Sequence, residues 1–148
     1  MPDLSAIFSG AAAQKAAYNL ADMAGDTVGL FDGLGLNRVH LVGASMGGMI
    51  AQEVAISHPE RIRSLTSIFS SPSPFIGAAT EAANSVLFLP PAQTTEEAGQ
   101  RALEVLRVIG SPGYPLDEAL VIARGEESFR RANDPAGVIR QLMAIHAS

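Results

Sequence analysis

The sequence predicts an α/β protein in which a parallel β-α-β unit precedes an all-helical region. Residues 38–43 form a short, mostly apolar segment without alternation, which is typical of a strand buried on both faces of a parallel sheet. Residues 46–57 have a helical pattern that ends before a proline, and residues 64–70 predict a second strand. Strand, helix and strand within about 30 residues predict a right-handed parallel crossover.

The composition argues against several classes of function. The chain has 148 residues, which suggests one domain, and 47% of them are hydrophobic. The net charge is −5 and no run of Lys or Arg exceeds two residues, which argues against a nucleic-acid partner. There is no cysteine, and His40, His58 and His146 lack the spacing of metal ligands. We therefore expect neither a metal nor a cofactor.

The sequence predicts neither a signal peptide nor a membrane span. Residues 1–10 lack a basic segment followed by a continuous apolar segment. No segment reaches the roughly 18 uncharged apolar residues that a membrane span requires. We therefore expect a soluble cytoplasmic protein.

One helix is predicted before the first strand. Residues 1–17 are Ala-rich without a strong period, and we expect a loop or a loose helix there. Asn19 is a predicted N-cap, and Asp22 three residues later favours the start of a helix. Gly33 and Gly35 end this helix, with Gly35 at the C′ position. Six residues of the helix fall on one face: Leu20, Met23, Thr27, Leu30, Phe31 and Leu34.

The chain changes character after the second strand. Residues 71–74, Ser-Pro-Ser-Pro, predict a linker, and we find no convincing strand beyond it. Four helices are predicted instead: residues 80–88, a helix from a Thr94 or Thr95 cap to Ile109, a helix from Pro115 to Arg131, and a helix after an Asp134 cap with Pro135 at its first position. We therefore divide the chain into a core at residues 1–70 and a helical lid at residues 71–148.

A Gly-x-Ser-x-Gly motif, Gly43-Ala44-Ser45-Met46-Gly47, lies between the first strand and its helix. The motif alone is weak, because chance produces it in roughly a tenth of chains with such a composition. Its position after a buried strand and before a helix is what a nucleophile elbow requires. In that geometry Ser45 is the nucleophile and the Met46 N–H is an oxyanion-hole donor. The alternative is a glycine-rich turn with an incidental serine.

Three stretches carry a resemblance to a known family: residues 18–24 (Tyr-Asn-Leu-Ala-Asp-Met-Ala), 42–49 (Val-Gly-Ala-Ser-Met-Gly-Gly-Met) and 58–61 (His-Pro-Glu-Arg). Together they resemble the α/β-hydrolase superfamily. They are most similar to its serine esterases and lipases with a helical lid, a group that includes polyketide methylesterases. Residues 109–113 and 140–148 resemble the lid of that group, so the likeness covers nearly the whole chain. The serine elbow separates the chain from haloalkane dehalogenases, which have an aspartate there.

The resemblance implies a larger structure than this sequence predicts. A full member has about eight strands and a catalytic Ser, acid and His in that order along the chain. The strands that precede the elbow strand, and those that carry the acid and the histidine, are not found in this sequence. We therefore expect a partial fold whose outer strands are missing from this chain. Two strands are also too few for an independently stable sheet, so we expect a second polypeptide or the remaining part of the hydrolase fold as a partner.

No local residue is predicted to replace the missing base and acid. A neutral serine is a poor nucleophile without an adjacent base. His58 lies at the far end of the helix that follows the elbow, and His40 is expected to be packed or hydrogen-bonded in the core. His146 lies on the last lid helix. No carboxylate follows the second strand at Ser70 and Ser71, where the family's alternative acid would lie.

Three interpretations of function remain open. The first is a serine hydrolase acting on a hydrophobic carboxylic ester, with the histidine and acid supplied from sequence outside this chain. The second is a catalytically silent binding module on the same scaffold, because a fold does not determine a function. The third is a truncated product without a function. The hydrophobic substrate is suggested by apolar lid residues that could also simply pack the lid onto the core: Phe75, Ile76, Val86, Leu87, Phe88 and Leu89.

Overall fold

A computed structural model describes residues 16–72, 76–77, 79–87 and 89–148 of the chain. Residues 1–15 of the predicted loop and residues 73–74 of the predicted linker therefore lie outside the described residues. The predicted order of elements is confirmed, with two parallel strands around a helix and, in the described residues after them, helices without a further strand. These elements are α1 (Leu20–Gly33), β1 (Val39–Ala44), α2 (Met46–Ser57), a 3-10 turn (Pro59–Arg61), β2 (Ile62–Ile68), α3 (Glu81–Leu87), α4 (Thr95–Ile109), α5 (Glu118–Arg131) and α6 (Pro135–His146).

The two strands form a parallel sheet in which α2 makes the crossover connection. Pairing begins at Val39 with Ile62 and ends at Ala44 with Ile68. The register shifts after the first pair, where Arg63 is the extra residue on β2. Both strands therefore end at the same edge of the sheet, and the residues that follow them become neighbours.

A small apolar cluster holds α1 and α2 against one face of the sheet. Ala24, Phe31 and Val54 are buried in it, and Val39 and Leu41 of β1 pack against it. The alternate residues of β1 are exposed, and Val42 is 62% exposed. Burial of β1 on both faces is thus not observed within the described ranges, because both helices of the cluster pack on the side of Val39 and Leu41.

The ends of α1 follow the predicted capping pattern. The Asn19 side chain accepts a hydrogen bond from the Asp22 N–H at 2.9 Å, and the Asp22 carboxylate accepts one from the Asn19 N–H at 3.0 Å. Together they form a capping box. Gly35 has a φ of +68°, which glycine adopts without steric cost, and it ends the helix as predicted.

The buried face of α1 differs from the predicted one. Leu30 and Leu34 were expected on the core face but are 60% and 63% exposed. Phe31 of the predicted face is buried, and the cluster also includes Ala24 and Val28 of α1, which the predicted face did not contain. Because Ala24 is small, α1 and α2 can approach closely at this position. The buried side of α1 therefore includes Ala24 and excludes the larger side chains of Leu30 and Leu34.

The chain divides into two compact units, Met1–Ala78 with Ala136–Ser148, and Ala79–Pro135. In the second unit α4 and α5 pack closely through small residues. A Cβ atom placed on Gly125 would lie 2.7 Å from the Cβ atom of Ala102. The division into a core and a lid at residue 70 stays a prediction. No helix in the described ranges is both long enough and apolar enough to span a membrane.

Two helix starts in the later part of the chain test the predicted caps. Thr94 caps α4, since its hydroxyl accepts a hydrogen bond from the Glu97 N–H at 3.2 Å. The next helix, α5, begins at Glu118 and not at Pro115 as predicted. Asp117 is its N-cap and accepts a hydrogen bond from the Leu120 N–H at 3.0 Å. The carboxylate satisfies a free N–H of the first turn, which the proline cannot do.

Arg61 joins the start of β2 to the connection between α1 and β1. Its guanidinium donates hydrogen bonds to the carbonyl oxygens of Leu36 and Asn37, both at 2.9 Å. The same group contacts the Asp32 carboxylate at 2.7 Å and lies over the Phe31 ring, 5.9 Å from its centroid. The side chain is only 18% exposed, so these bonds are partly shielded from water.

We expect Arg61→Met to lower the free energy of unfolding by about 2 kcal/mol, because two carbonyl groups lose their donor and the cation above Phe31 is lost. Equilibrium urea unfolding measures this change. Arg63→Met is the matched control, because Arg63 is exposed and its side chain bonds to none of the described residues. We expect a change of less than about 0.5 kcal/mol there. Equal effects of the two substitutions would contradict this role of Arg61.

Candidate active site

Ser45 lies in the sharp turn between β1 and α2, at the edge of the sheet where both strands end. Its backbone has φ +52° and ψ −124°, a conformation that residues with a Cβ rarely adopt. The Ser45 N–H donates a hydrogen bond to the carbonyl oxygen of Ile68 at 3.0 Å, so the turn is tied to the end of β2. The residue is exposed. The Gly-x-Ser-x-Gly motif therefore forms a strained turn between a strand and a helix, and the role of Ser45 as a nucleophile stays a prediction.

The Ser45 hydroxyl is not used as a helix cap, although Ser45 is the N-cap residue of α2. A serine at this position normally has extended backbone and accepts a hydrogen bond from an N–H of the first turn. Here the backbone is not extended, and the side chain makes no capping bond. The Gly48 and Met49 N–H groups bond to the Ser45 carbonyl oxygen instead, at 2.9 and 3.2 Å. The hydroxyl is thus left for another partner.

The two glycines of the motif have different environments. A Cβ atom on Gly43 would lie 2.1 Å from the carbonyl oxygen of Gly47, far inside van der Waals contact. A Cβ atom on Gly47 would meet nothing within 4 Å in the described part of the chain. Among the described residues, close approach of the backbone is therefore found at Gly43 and not at Gly47. The turn is sharp because the chain at Gly47 folds back directly over Gly43.

Met46 is the first residue of α2. No acceptor in the described ranges takes a hydrogen bond from its N–H. The first N–H groups of a helix carry its positive dipole end and are suited to a negatively charged oxygen. This N–H is adjacent to Ser45 in the chain, and the role of Met46 as an oxyanion-hole donor stays a prediction.

The positions of the three histidines show whether one of them could act as a base for Ser45. His40 is exposed on β1, with Nδ1 2.8 Å from the Ser64 hydroxyl oxygen, so it is hydrogen-bonded but not in the core. His58 follows α2, whose 12 residues rise about 18 Å, and its Nδ1 lies 3.8 Å from a Glu60 carboxylate oxygen. His146 is the last residue of α6. No hydrogen bond within the described ranges joins the Ser45 hydroxyl to a histidine or a carboxylate.

A metal site is not apparent in this part of the molecule. The described residues contain no group of three or more His, Asp or Glu side chains that could hold a metal ion.

Phe69 is a second strained residue beside the elbow, and the sequence did not indicate it. It has φ +33°, and its side chain is 83% exposed. Ser45 and Phe69 are the non-glycine residues with positive φ among those described. The strain also explains why β2 ends at Ile68 and not at the predicted Ser70, because positive φ breaks the extended backbone.

The sequence also did not indicate a group of three polar side chains next to the turn, those of Gln52, Ser67 and Ser70. The Gln52 amide nitrogen lies 3.1 Å from the Gly48 carbonyl oxygen and 3.4 Å from the hydroxyl oxygens of Ser67 and Ser70. Gln52 is one helical turn after Gly48, which the sequence shows, but its serine partners are 15 and 18 residues away. Only the pairing of β2 with β1 brings them together.

The sequence of residues 7–102 matches the family described as the alpha/beta hydrolase fold. Among solved structures, the chain is similar to a meta-cleavage product hydrolase from Pseudomonas fluorescens IP01, with a TM-score of 0.60 and 19% identity. The aligned region covers 86% of this chain and 43% of that one. At this identity the likeness concerns the fold alone.

Curated relatives include the rhodomycin D methylesterase of Streptomyces peucetius. It is 29% identical over 120 residues, which cover 68% of this chain and 40% of the methylesterase. A protein of Caulobacter vibrioides assigned as the carbamate hydrolase RutD is 41% identical over 61 residues, covering 40% of this chain and 23% of that protein. The chain spans less than half the length of these relatives.

Proposed function

Because this chain belongs to the α/β-hydrolase fold family, we propose that it supplies the nucleophilic serine of a carboxylic ester hydrolase. The observation that supports this proposal is the backbone conformation of Ser45 together with its missing capping bond. Ser45 is an exposed residue at the N-cap of α2 with strained backbone, yet its hydroxyl makes no capping bond. A serine retained only to start the helix would adopt extended backbone and cap it. Strain of this kind persists where the surrounding structure supports a function.

In the proposed reaction the Ser45 hydroxyl oxygen attacks the carbonyl carbon of the ester while a base takes its proton. The carbonyl oxygen becomes an oxyanion and accepts a hydrogen bond from the Met46 N–H. The C–O bond to the alcohol then breaks, the base returns the proton to the alcohol, and an acyl-serine remains. Water, activated by the same base, releases the acid and regenerates Ser45. No metal or cofactor is needed.

The base and the acid that orients it are proposed to come from polypeptide outside this chain. No histidine or carboxylate in the described ranges is hydrogen-bonded to the Ser45 hydroxyl. The sheet has two strands within these ranges, and Val42 on its open face is 62% exposed. Further polypeptide against this sheet would cover apolar surface and could bring the histidine. We refer to this chain together with that polypeptide as the complete protein.

The names of the relatives support hydrolysis at a carboxyl-derived carbonyl, since one is a methylesterase and another a carbamate hydrolase. A hydrophobic ester is proposed from the apolar residues that follow β2. Ile76 and Leu87 are 62% and 48% exposed, whereas Val86 is buried, with 4% of its surface exposed. Phe75 and Phe88 lie outside the described residues.

The alternative is a catalytically silent binding module on the same fold. It is favoured by one observation, the lack of a base or acid bonded to Ser45 in the described ranges. This alternative predicts a protein that binds an apolar ligand near Ser45 and turns over no ester.

Labelling with a fluorophosphonate separates the two functions. We expect the complete protein to be labelled on the peptide that contains Ser45, and Ser45→Ala to remove the label. Ser57→Ala is the matched control, because Ser57 lies at the other end of α2 and its hydroxyl bonds to Glu53. It should label normally. A complete protein that is folded but neither labels nor hydrolyses p-nitrophenyl butyrate would contradict the proposed hydrolase.

A further inference from the structure

A cluster of polar side chains lies between the first turn of α2 and the end of β2, on the covered side of the sheet. Gln52 is half-buried in it. Its amide group contacts the Gly48 carbonyl oxygen at 3.1 Å and the hydroxyl oxygens of Ser67 and Ser70 at 3.4 Å each. Because a carbonyl oxygen only accepts hydrogen bonds, the atom that faces Gly48 must be the amide nitrogen.

Gly48 lies so close to the same two serines that a side chain at this position would clash with them. A Cβ atom on Gly48 would lie 2.5 Å from the Ser70 Cβ atom and 2.9 Å from the Ser67 hydroxyl oxygen. The first turn of α2 is therefore seated directly on the end of β2. Gln52 covers this contact from one helical turn further on and bonds to both sides of it.

The position of Gly48 determines the position of the elbow. The N–H groups of Gly48 and Met49 bond to the Ser45 carbonyl oxygen, at 2.9 and 3.2 Å. Met46 lies inside this single turn, so a movement of Gly48 away from β2 would turn the Met46 N–H relative to Ser45. The other end of the turn is fixed by the bond from the Ser45 N–H to the Ile68 carbonyl oxygen, at 3.0 Å. The elbow is thus attached to β2 at two points.

We propose that Gln52 is a positioning residue for the oxyanion-hole donor, acting through Gly48, Ser67 and Ser70 on the direction of the Met46 N–H. The inference rests on the proposed function of Ser45. Gln52 touches neither Ser45 nor Met46 by a hydrogen bond within the described ranges, so it contributes no group to the reaction. Its role predicts a specific kinetic effect. A misdirected oxyanion donor weakens binding of the transition state more than binding of the ester, so kcat falls while KM changes little.

The test is steady-state hydrolysis of p-nitrophenyl butyrate by the complete protein, at a temperature where every variant is fully folded. Gln52→Leu keeps the size of the side chain and removes the amide. We expect its kcat to be about tenfold lower, with KM changed less than about twofold. Gln52→Glu places a carboxylate oxygen against the Gly48 carbonyl oxygen, and we expect at least the same loss of kcat.

Gln141→Leu is the matched control, because Gln141 is also half-buried on a helix and its side chain bonds to none of the described residues. Its kcat and KM should equal those of the unsubstituted protein. A Gln52→Leu protein with unchanged kcat, or a loss of kcat that Gln141→Leu shares, would overturn the positioning role and leave the proposed hydrolase standing. An unsubstituted protein without turnover would overturn the proposed function and this inference with it.

Discussion

Replacing Ser45 by glycine is expected to abolish ester turnover and fluorophosphonate labelling while making the complete protein more stable. The substitution removes the attacking oxygen, and loss of a serine nucleophile lowers kcat by roughly a million-fold in a well-studied serine protease. Glycine, however, adopts φ near the +52° observed at this position without steric cost. Relief of strain is worth about 1–3 kcal/mol, and the added freedom of glycine in the unfolded chain costs about 0.5–1 kcal/mol. The net expectation is a gain of about 1 kcal/mol.

Ser45→Ala is the control that separates strain from chemistry. Alanine also lacks the hydroxyl, so turnover and labelling should be lost equally. It keeps the Cβ atom, so the backbone strain remains and the free energy of unfolding should not rise. Urea unfolding of both variants of the complete protein gives the comparison. If Ser45→Gly were no more stable than Ser45→Ala, the strain would not reside at Ser45, and turnover retained by both would place the nucleophile elsewhere.

Replacing Gly43 by alanine should destabilise the complete protein by about 3 kcal/mol or more and abolish labelling of Ser45. The new Cβ atom would lie 2.1 Å from the Gly47 carbonyl oxygen and 2.7 Å from the Gly48 nitrogen. Both atoms belong to the backbone, so no side-chain rotation can relieve the clash. The first turn of α2 would have to move away from β1, and the Met46 N–H would move with it.

Gly47→Ala is the matched control within the same motif. A Cβ atom there meets nothing within 4 Å among the described residues, so we expect no loss of stability. Alanine also favours a helix over glycine, and Gly47 lies in α2, so we expect a gain of up to about 1 kcal/mol. Unfolding midpoints in urea and the rate of labelling measure both effects. Equal destabilisation by the two substitutions would show that the approach of the backbone at Gly43 is not what shapes the turn.

Much of the local structure could be predicted because its causes lie within a few residues. The Asn19 and Asp22 capping box, the Thr94 cap and the positive φ of Gly35 all depend on neighbours in sequence. The start of α5 was misplaced because Pro115 and Asp117 both favour a helix start, and only the hydrogen bond to the Leu120 N–H decides between them.

The exposed face of the sheet could not be predicted from β1 alone. The apolar residues of β1 indicate burial on both faces, but burial depends on which other elements pack against each face. In the described structure Val39 and Leu41 face α1 and α2, while Val42 is exposed. The apolar sequence of β1 is suited to burial on both faces, but the described residues cover only one of them.

The sequence by itself determined the elbow. An apolar strand, a glycine that admits the returning backbone, a serine and the start of a helix are consecutive in the chain, so the geometry of the turn follows from local sterics. Tertiary structure alone decided what supports it. Ile68, Ser67 and Ser70 reach the turn only because β2 pairs in parallel with β1, and Gln52 acquires its partners by that pairing. Contacts between residues distant in sequence depend on register and crossover, which a local pattern does not encode.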